Sequence, residues 1–380
     1  MHDCLLTDDQ RMIRDSARAF ARDVLAPGAA RRDADKAFPR AEMAALGELG
    51  FLGMLVSEEW GGVAADHVGY VLAVEEISAG DGSIGAMMAL HNGLVSGPLR
   101  THGTPEQKER YLRPLARGTI NGAFGLTEPE AGSNAFAIRT RAVRCSGGYR
   151  ISGAKQFMSN GKSADVAIVF AATESDDPRR RITAFLVPTT AEGYRATRVE
   201  DKLGLSASET CQVQLDEVFV ADADVLGQPG GGYALAMSTL ELGRLGIAAQ
   251  SVGLARAAFE HARAYAKDRH TFGKPLFQHQ AVGFRLADMR TQVEVARSFL
   301  HQVARMRDHG APCKSEAAMA KLFASELAEK VASEAIQVHG GYGYLKDFPV
   351  ERIYRDARIC RIYEGTSDIQ RMIIASTLYD

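Results

Sequence analysis

The sequence predicts an α+β protein with three domains: an N-terminal helical domain (1–120), a middle β-domain of barrel or sandwich type (121–230) and a C-terminal four-helix bundle (231–380). Three observations support this prediction. Apolar residues repeat at helical spacing through the first third of the chain. From Asn121 onward glycines cluster and short apolar runs are separated by polar turns, which is typical of strands. After Gly230-Gly231-Gly232, helical spacing returns and continues along the rest of the sequence.

The helices of the first third are predicted from their start signals and periodicity. Thr7 followed by Gln10 forms a capping box, and the apolar residues after it lie on one helical face until Pro27. Those residues are Met12, Ile13, Ala17, Phe20 and Val24. Thr104, followed by a proline and then by Gln107, is a second start signal. Further helices are predicted at 40–49 and 68–79.

The later elements follow from the same kind of pattern. Strands are predicted around 149–151, 166–170, 182–187 and 212–220. Helices are predicted at 233–267, 280–308, 315–338 and after Glu364. No strand–GxGxxG–helix unit occurs in the sequence, which argues against a Rossmann dinucleotide site. Long amphipathic helices commonly pair again between subunits, so the bundle also suggests an oligomer.

Composition narrows the functional class. The 380 residues are 46% hydrophobic and 24% charged, which is ordinary for a globular protein. With 45 Lys and Arg against 47 Asp and Glu, the net charge of -2 gives no reason to expect a nucleic acid or an anionic membrane as partner. The five cysteines form no CxxC pair, and the histidines are not spaced as metal ligands, so we expect no disulfide framework and no metal site. The start of the sequence lacks a secretory signal and no apolar run reaches membrane-spanning length, so we expect a cytoplasmic protein.

Three segments contain residue types that suit ligand binding. In 123–134, small residues and hydroxyls beside a strand end let backbone amides approach an anionic or heteroaromatic ligand, although an ordinary polar loop explains them equally well. In 155–161, Phe157 stands among hydroxyls in a β-turn context, but a lone phenylalanine is more often a core residue. In 269–275, Arg269 can grip a phosphate bidentately or simply complement a helix dipole.

A fourth segment, 362–369, contains a carboxylate suited to acid–base chemistry. Glu364 lies between an apolar stretch and a helix start, with Thr366 or Ser367 available as the cap. Apolar surroundings raise the pKa of a carboxyl group, which suits a general base. A glutamate at a helix N-terminus is also stabilised by the helix dipole without any catalytic role. Taken one at a time, the first segment leaves both interpretations open, and the other three favour the structural interpretation.

Together, and in this order, the segments resemble the acyl-CoA dehydrogenase family of the short-chain, branched-chain or medium-chain type. The resemblance rests on Leu126-Thr127-Glu128-Pro129, Arg269 with Phe272-Gly273, QVHGGYG at 337–343 and YEGTS at 363–367. It extends over essentially the whole chain and includes the helical, β and helical thirds. The combination of these motifs is specific.

The resemblance implies FAD held between the β-domain and the C-terminal helices. Thr127 is expected to hydrogen-bond near the reactive flavin nitrogen, and Phe157, where many relatives have Trp, is expected to meet the isoalloxazine ring together with Ser159. Six residues match positions that bind FAD across a subunit boundary: Arg269, Phe272, Gln280, Gln337, Gly340 and Gly341. The remaining expected FAD contacts are Phe124, Leu126, Ser133, Thr366 and Asp368.

The resemblance also implies the catalytic and substrate residues. Glu364 matches the base that removes the α-proton of the acyl-CoA, and its backbone amide is expected to hydrogen-bond the thioester carbonyl. The expected substrate contacts are Ser133, Glu241, Arg244 and Gly365. At Glu241, Asp is common in the family, so the CoA-side contact differs by one methylene. One branch of the family, which includes isovaleryl-CoA dehydrogenases, carries its base at the position of Gly243, and a glycine cannot serve as a base.

The implied activity is the FAD-dependent α,β-desaturation of a short or branched acyl-CoA to the enoyl-CoA in fatty acid or amino acid catabolism. Electrons are expected to pass to an electron-transferring flavoprotein, and the protein is expected to form a homotetramer built as a dimer of dimers. Two alternatives use the same fold. One is an acyl-CoA oxidase, which would consume oxygen directly. The other is a non-catalytic flavin- or DNA-binding member. The net charge of -2 and the absence of a basic C-terminal segment make DNA binding unfavourable.

Overall fold

A computed structural model describes residues 3–177 and 180–379, and its first third is helical as predicted. Thr7 caps α1 with the predicted capping box, and Thr104 caps α7 in the same way. Residues 3–177 and 180–379 contain no helix that is long and apolar enough to cross a membrane. The helices of this part are α1 (Asp8–Phe20), α2 (Ala26–Asp35), α3 (Arg40–Glu48), α4 (His67–Gly80), α5 (Gly82–Leu90), α6 (Gly97–His102), α7 (Pro105–Gln107) and α8 (Arg113–Ala116).

The predicted end of the first helix at Pro27 is wrong. The chain continues from α1 through a π-helical segment, Ala21–Leu25, directly into α2. Pro27 lies in the first turn of α2, directly after the π-helical segment that interrupts the regular i→i−4 hydrogen bonds, so the helix continues past a residue that has no N–H. The helix ends instead at Lys36, whose φ of 53° is left-handed.

The sequence interpretation also missed helix α5. Asp81, in an extended conformation, separates α4 from α5, and its side chain accepts hydrogen bonds from the amides of Ser83 (2.9 Å) and Ile84 (3.2 Å). This is a regular N-cap, so the aspartate before the glycine was the available signal. Almost all of α4 and α5 is buried, which places both helices in the centre of the molecule.

The middle region forms one eight-stranded sheet, which confirms the predicted β-domain. The strand order is β6-β7-β3-β2-β4-β5-β8, with β1 paired in parallel to β4. All four predicted strand regions fall within strands of this sheet. The strands are β1 (Gly122–Gly125), β2 (Arg141–Cys145), β3 (Gly148–Ser159), β4 (Val166–Ala172), β5 (Ile182–Pro188), β6 (Tyr194–Val199), β7 (Thr210–Ala221) and β8 (Val225–Leu226).

Strand β4 shows how the sheet is fixed to the helices. Because successive side chains point to opposite faces, Ile168 and Phe170 pack into one core with helical residues such as Leu112. Ala167 and Val169 on the other face pack into a second core formed by the strands themselves. The strand is therefore buried on both faces, which explains its continuously apolar sequence.

The last third is helical, as predicted, but contains one more helix than the four expected. Helix α12 was missed, although Pro349 in its first turn is a regular start signal. Helices α9 and α11 pack along each other with many buried alanines, which allow close approach. The helices are α9 (Gly232–Asp268), α10 (Gln280–Asp308), α11 (Lys314–His339), α12 (Pro349–Arg358) and α13 (Ser367–Ala375), and a short hairpin of β9 (His270–Thr271) and β10 (Lys274–Pro275) joins α9 to α10.

Candidate active site

The predicted base lies in a tight turn before α13, here called the base loop (363–366). Glu364 has a φ of +52° and Gly365 a φ of +95°, so two consecutive residues are left-handed. This conformation costs roughly 1–3 kcal/mol for a residue with a side chain, and it persists only where the surroundings enforce it. Thr366 then caps α13, its hydroxyl accepting a hydrogen bond from the Ile369 amide at 3.3 Å.

Side chains from two helices hold the backbone of the base loop. Gln370 of α13 donates from Nε2 to the carbonyl oxygens of Glu364 (3.3 Å) and Gly365 (2.9 Å). Lys321 of α11 donates from Nζ to the Gly365 carbonyl at 2.7 Å. Tyr363 is anchored through its hydroxyl to Gln250 Oε1 on α9. These contacts stabilise the left-handed conformation of the turn.

The Glu364 carboxylate occupies a space that a glycine leaves open. A Cβ at Gly243 would lie 1.8 Å from Oε2 of Glu364 and 2.9 Å from Cδ2 of Leu94. Oε2 is shielded from solvent and has no hydrogen-bond partner among the described residues. The structure therefore gives Gly243 a steric role: its missing side chain makes room for the carboxylate.

The surroundings bring the Glu364 carboxyl group into the range of a base at neutral pH. Burial raises the pKa of Glu364, and the positive charges of Lys321 and Arg244 partly oppose this, giving a value of about 7. Arg244, on α9, is itself buried, and its Nε has no hydrogen-bond partner in the part of the chain that the structure describes. A carboxylate with a pKa near 7 and a free oxygen can accept a proton from a substrate carbon.

The structure brings the two β-segments of the predicted site together. The Gln156 amide donates to the Thr127 carbonyl at 2.9 Å, and Lys155 Nζ donates to the Leu126 carbonyl at 3.2 Å. Lys155 is fully buried and also binds Glu128 Oε1 at 2.7 Å. This buried ion pair was not predicted from the sequence, and it joins the loop after β1 to strand β3.

An irregularity in strand pairing turns Phe157 outward. The register of β3 against β7 shifts between Lys155 and Met158, and Phe157 within this bulge has a φ of +55°. Its side chain is 64% exposed, so the core interpretation considered for this residue is wrong. Phe124, in contrast, is half-buried, and its ring packs 5.1 Å from the ring of Phe170.

A second group of predicted cofactor residues lines a separate cavity of about 470 Å³. Among the described residues, its walls come from 265–276 and 337–345, and they include Gln337. The Arg269 guanidinium lies 5.7 Å from the centre of the Tyr342 ring. A Cβ at Gly340 or Gly341 would meet no atom of the described residues within 4 Å, so the backbone there is open to a ligand.

The remaining predicted residues lie on the surface or are engaged elsewhere. Phe272 is 97% exposed, and Ser133, Gln280 and Asp368 are also exposed. Glu241 forms an ion pair with Arg307 at 3.1 Å, so its carboxylate has a partner within the chain. Ser159 is half-buried at the end of β3.

Several residues around the base loop were not found from the sequence. Lys321 lies in α11 among Ala317, Ala320 and Ala324. A single cation among these small residues was the one feature of the sequence that could have indicated a buried lysine. Gln250 and Gln370 carried no signal, because buried glutamines within helices resemble exposed ones in sequence.

Comparison with known proteins identifies the family. Three family models match the chain: "Acyl-CoA dehydrogenase, N-terminal domain" at 7–119, "Acyl-CoA dehydrogenase, middle domain" at 123–218 and "Acyl-CoA dehydrogenase, C-terminal domain" at 230–379. The chain is 43% identical to an acyl-CoA dehydrogenase of Bacillus subtilis, over 98% of each chain. It is 40% identical to a short-chain specific acyl-CoA dehydrogenase of Clostridium acetobutylicum, over 98% of this chain and 99% of that one. The structure of butyryl-CoA dehydrogenase from Megasphaera elsdenii is similar, with a TM-score of 0.96 at 39% identity over 99% of both chains.

Proposed function

Because the chain belongs to the acyl-CoA dehydrogenase family, we propose that it converts a short, saturated acyl-CoA into the α,β-unsaturated enoyl-CoA, with Glu364 as the base. The observation that carries the proposal is the Glu364 carboxylate. Its Oε2 is shielded from solvent, has no hydrogen-bond partner within residues 3–177 and 180–379, and lies in the space left by Gly243. A short acyl chain is supported by the similarity, at about 40% identity, to relatives named as short-chain specific and butyryl-CoA dehydrogenases.

Glu364 is the residue of this chain that moves a proton in the reaction. Its carboxylate takes the proton from the α-carbon of the thioester, so the carboxyl group ends the step neutral. FAD, when bound, supplies the oxidant that accepts the hydride from the β-carbon, which leaves the double bond between the two carbons. A pKa of about 7 lets Glu364 be ionised before the step and protonated after it.

Two features of the described residues fit FAD. The exposed ring of Phe157, held in a bulge beside Thr127, offers an aromatic surface to the flavin ring. The open backbone at Gly340 and Gly341, facing the cavity that Arg269 lines, suits a phosphate-bearing ligand. The residues proposed to bind FAD are Phe124, Leu126, Thr127, Ser133, Phe157, Ser159, Arg269, Phe272, Gln280, Gln337, Gly340, Gly341, Thr366 and Asp368.

The substrate is proposed to contact Ser133, Glu241, Arg244 and Gly365. Arg244 is the best supported of these residues, because its buried Nε has no hydrogen-bond partner among the described residues and its charge lowers the pKa of Glu364. Glu241 is the least supported, because Arg307 already neutralises its carboxylate.

We also propose a homo-oligomer, in which the cavity lined by Arg269 and Gln337 binds the FAD of a neighbouring subunit. The almost complete exposure of Phe272 supports this proposal, because a large apolar side chain is favourably covered by a partner. Sedimentation equilibrium of the purified protein tests it, and a monomer with full flavin content would refute it. An electron-transferring flavoprotein is the proposed electron acceptor.

The decisive experiment is an anaerobic titration that follows flavin absorbance. Wild type and Glu364→Gln are each mixed with butyryl-, isobutyryl-, 2-methylbutyryl-, octanoyl- and palmitoyl-CoA. We expect rapid bleaching by butyryl-CoA with wild type and a rate at least about 10³-fold lower with the variant. Bound flavin that no acyl-CoA bleaches would refute the proposed reaction.

The oxidase alternative is separated by the electron acceptor. A dehydrogenase turns over with an electron-transferring flavoprotein and consumes little oxygen when that protein is left out. Oxygen consumption at the full turnover rate without the acceptor would instead identify an acyl-CoA oxidase.

A further inference from the structure

A buried lysine on the neighbouring helix reaches the base loop. Lys321 of α11 has no exposed surface. Its Nζ donates a hydrogen bond of 2.7 Å to the carbonyl oxygen of Gly365. Burying an ammonium group is unfavourable unless its hydrogen bonds and its charge are used. The position therefore needs an explanation, and its contact points to the turn that carries Glu364.

The hydrogen bond acts on the part of the backbone that aims the Glu364 side chain. The Gly365 carbonyl accepts from Lys321 and from Gln370 Nε2, the latter at 2.9 Å. The φ angles of +52° at Glu364 and +95° at Gly365 define the turn. Since a left-handed glutamate is unfavourable, loss of a bond to this turn allows the backbone to relax and the carboxylate to move.

The charge of Lys321 acts on the same carboxylate. Burial lowers the pKa of Lys321 to about 8, so the ammonium form is present at neutral pH. The neighbouring Cys360 and Glu364 raise the pKa of Lys321 and so favour its protonated form. Arg244 and Arg361 lower this pKa. In return, the positive charge of Lys321 lowers the pKa of Glu364, against the effect of burial.

We propose that Lys321 is a positioning residue for the catalytic base: its ammonium group fixes the Gly365 carbonyl and places a buried positive charge beside the turn that carries Glu364. This inference rests on the proposed role of Glu364. Lys321 acts through Glu364 and the base loop, so its removal should change the rate and the pH dependence more than the binding of acyl-CoA.

Two substitutions separate the geometric contribution from the charge. Lys321→Gln keeps a hydrogen-bond donor without the charge. Lys321→Met removes both the donor and the charge and keeps a side chain of similar length. The matched control is Lys330→Met, because Lys330 lies on the same helix but is exposed and donates to Gln292 Oε1 at 3.1 Å. Flavin content and Tm are measured first, to show that each variant is folded.

The first readout is the pH profile of kcat and KM with butyryl-CoA. Without the positive charge the pKa of Glu364 rises, so the acidic limb of kcat should move to higher pH by about one pH unit in both Lys321 variants. On the alkaline plateau, above the Lys321 pKa of about 8, the neutral amine of wild type can still donate to the Gly365 carbonyl. Lys321→Met should therefore lose about tenfold or more in kcat there and Lys321→Gln less, because only the methionine variant lacks a donor. KM should change by less than about twofold, and Lys330→Met should follow wild type.

The second readout does not depend on turnover. In an infrared pH titration, the carbonyl stretch of the protonated Glu364 carboxyl is identified by its loss in Glu364→Gln. Its midpoint should move to higher pH in Lys321→Gln, and this measurement decides the matter if Lys321→Met does not fold. An unmoved midpoint and an unmoved acidic limb would overturn the inference. An active wild type, an inactive Glu364→Gln and normal Lys321 variants would overturn this inference alone, whereas an inactive wild type would overturn the proposed function.

Discussion

Replacing Gly243 with alanine should inactivate the protein without unfolding it. The added Cβ would lie 1.8 Å from Oε2 of Glu364, whereas ordinary van der Waals contact begins at 3.4 Å. The carboxylate must therefore retreat by roughly 1.6 Å, and a displacement of about 1 Å at a reacting group costs on the order of 10²-fold in rate. The Cβ would also lie 2.9 Å from Cδ2 of the buried Leu94, but both clashing atoms are ends of flexible side chains, so the free energy of unfolding should fall by no more than about 3 kcal/mol.

The assay is kcat and KM for butyryl-CoA in Gly243→Ala beside wild type, with flavin content and Tm as folding checks. Gly97→Ala is the matched control, since a Cβ there meets Leu242 Cδ2 and the Asn92 carbonyl at an ordinary 3.5 Å. We expect kcat to fall at least about 10²-fold in Gly243→Ala and to change by less than about twofold in the control. Wild-type kcat in Gly243→Ala would show that the carboxylate does not need the space at Gly243, and the steric argument would be refuted.

Three further predictions follow from other parts of the structure. First, kcat should rise with pH through about 7, because the Glu364 carboxyl must be ionised to accept a proton. The pKa of Glu364 is also higher in the folded than in the unfolded protein, so the free energy of unfolding of wild type should fall as pH rises towards 7. In denaturant unfolding we expect this loss, relative to Glu364→Gln, to reach up to about 3 kcal/mol. A pH-independent kcat would exclude a base with this pKa. Second, Lys155→Met should lower the free energy of unfolding by about 3–5 kcal/mol, because it leaves the Glu128 carboxylate buried without its cation. A decrease below about 1 kcal/mol in a urea titration would show that the ion pair contributes little to stability. Third, Arg269→Ala should weaken FAD retention by about tenfold or more, because it removes the cation from the cavity beside Gly340. Retention is measured as the flavin-to-protein ratio after dialysis. An unchanged ratio would remove Arg269 from the proposed cofactor site.

Much of the fold could be predicted from the sequence because its signals are local. The capping boxes at Thr7 and Thr104 and the apolar run of β4 each depend on residues within a few positions of one another. Where prediction failed, the sequence allowed two outcomes. Pro27 can end a helix or begin one, and only the π-helical segment before it decided that the chain continues.

For the site, motif order was enough to assign the family, and the family models agree with that assignment. The roles of the individual residues stay predictions. Phe157 shows the limit of local reasoning, because a lone phenylalanine is usually buried. Its exposure follows from a register shift between β3 and β7, which are separated in sequence by residues 160–209.

The sequence by itself determined the order of the helical, β and helical regions, the family and Glu364 as the candidate base, since each of these is recorded in short segments. Only the tertiary structure decided that Gly243 leaves the space for the carboxylate and that Lys321 and Gln370 hold its turn. The physical reason is that sterics, burial and hydrogen bonds depend on distances of a few ångströms between helices that are far apart in the chain. The same packing determines the pKa of Glu364, which no motif specifies.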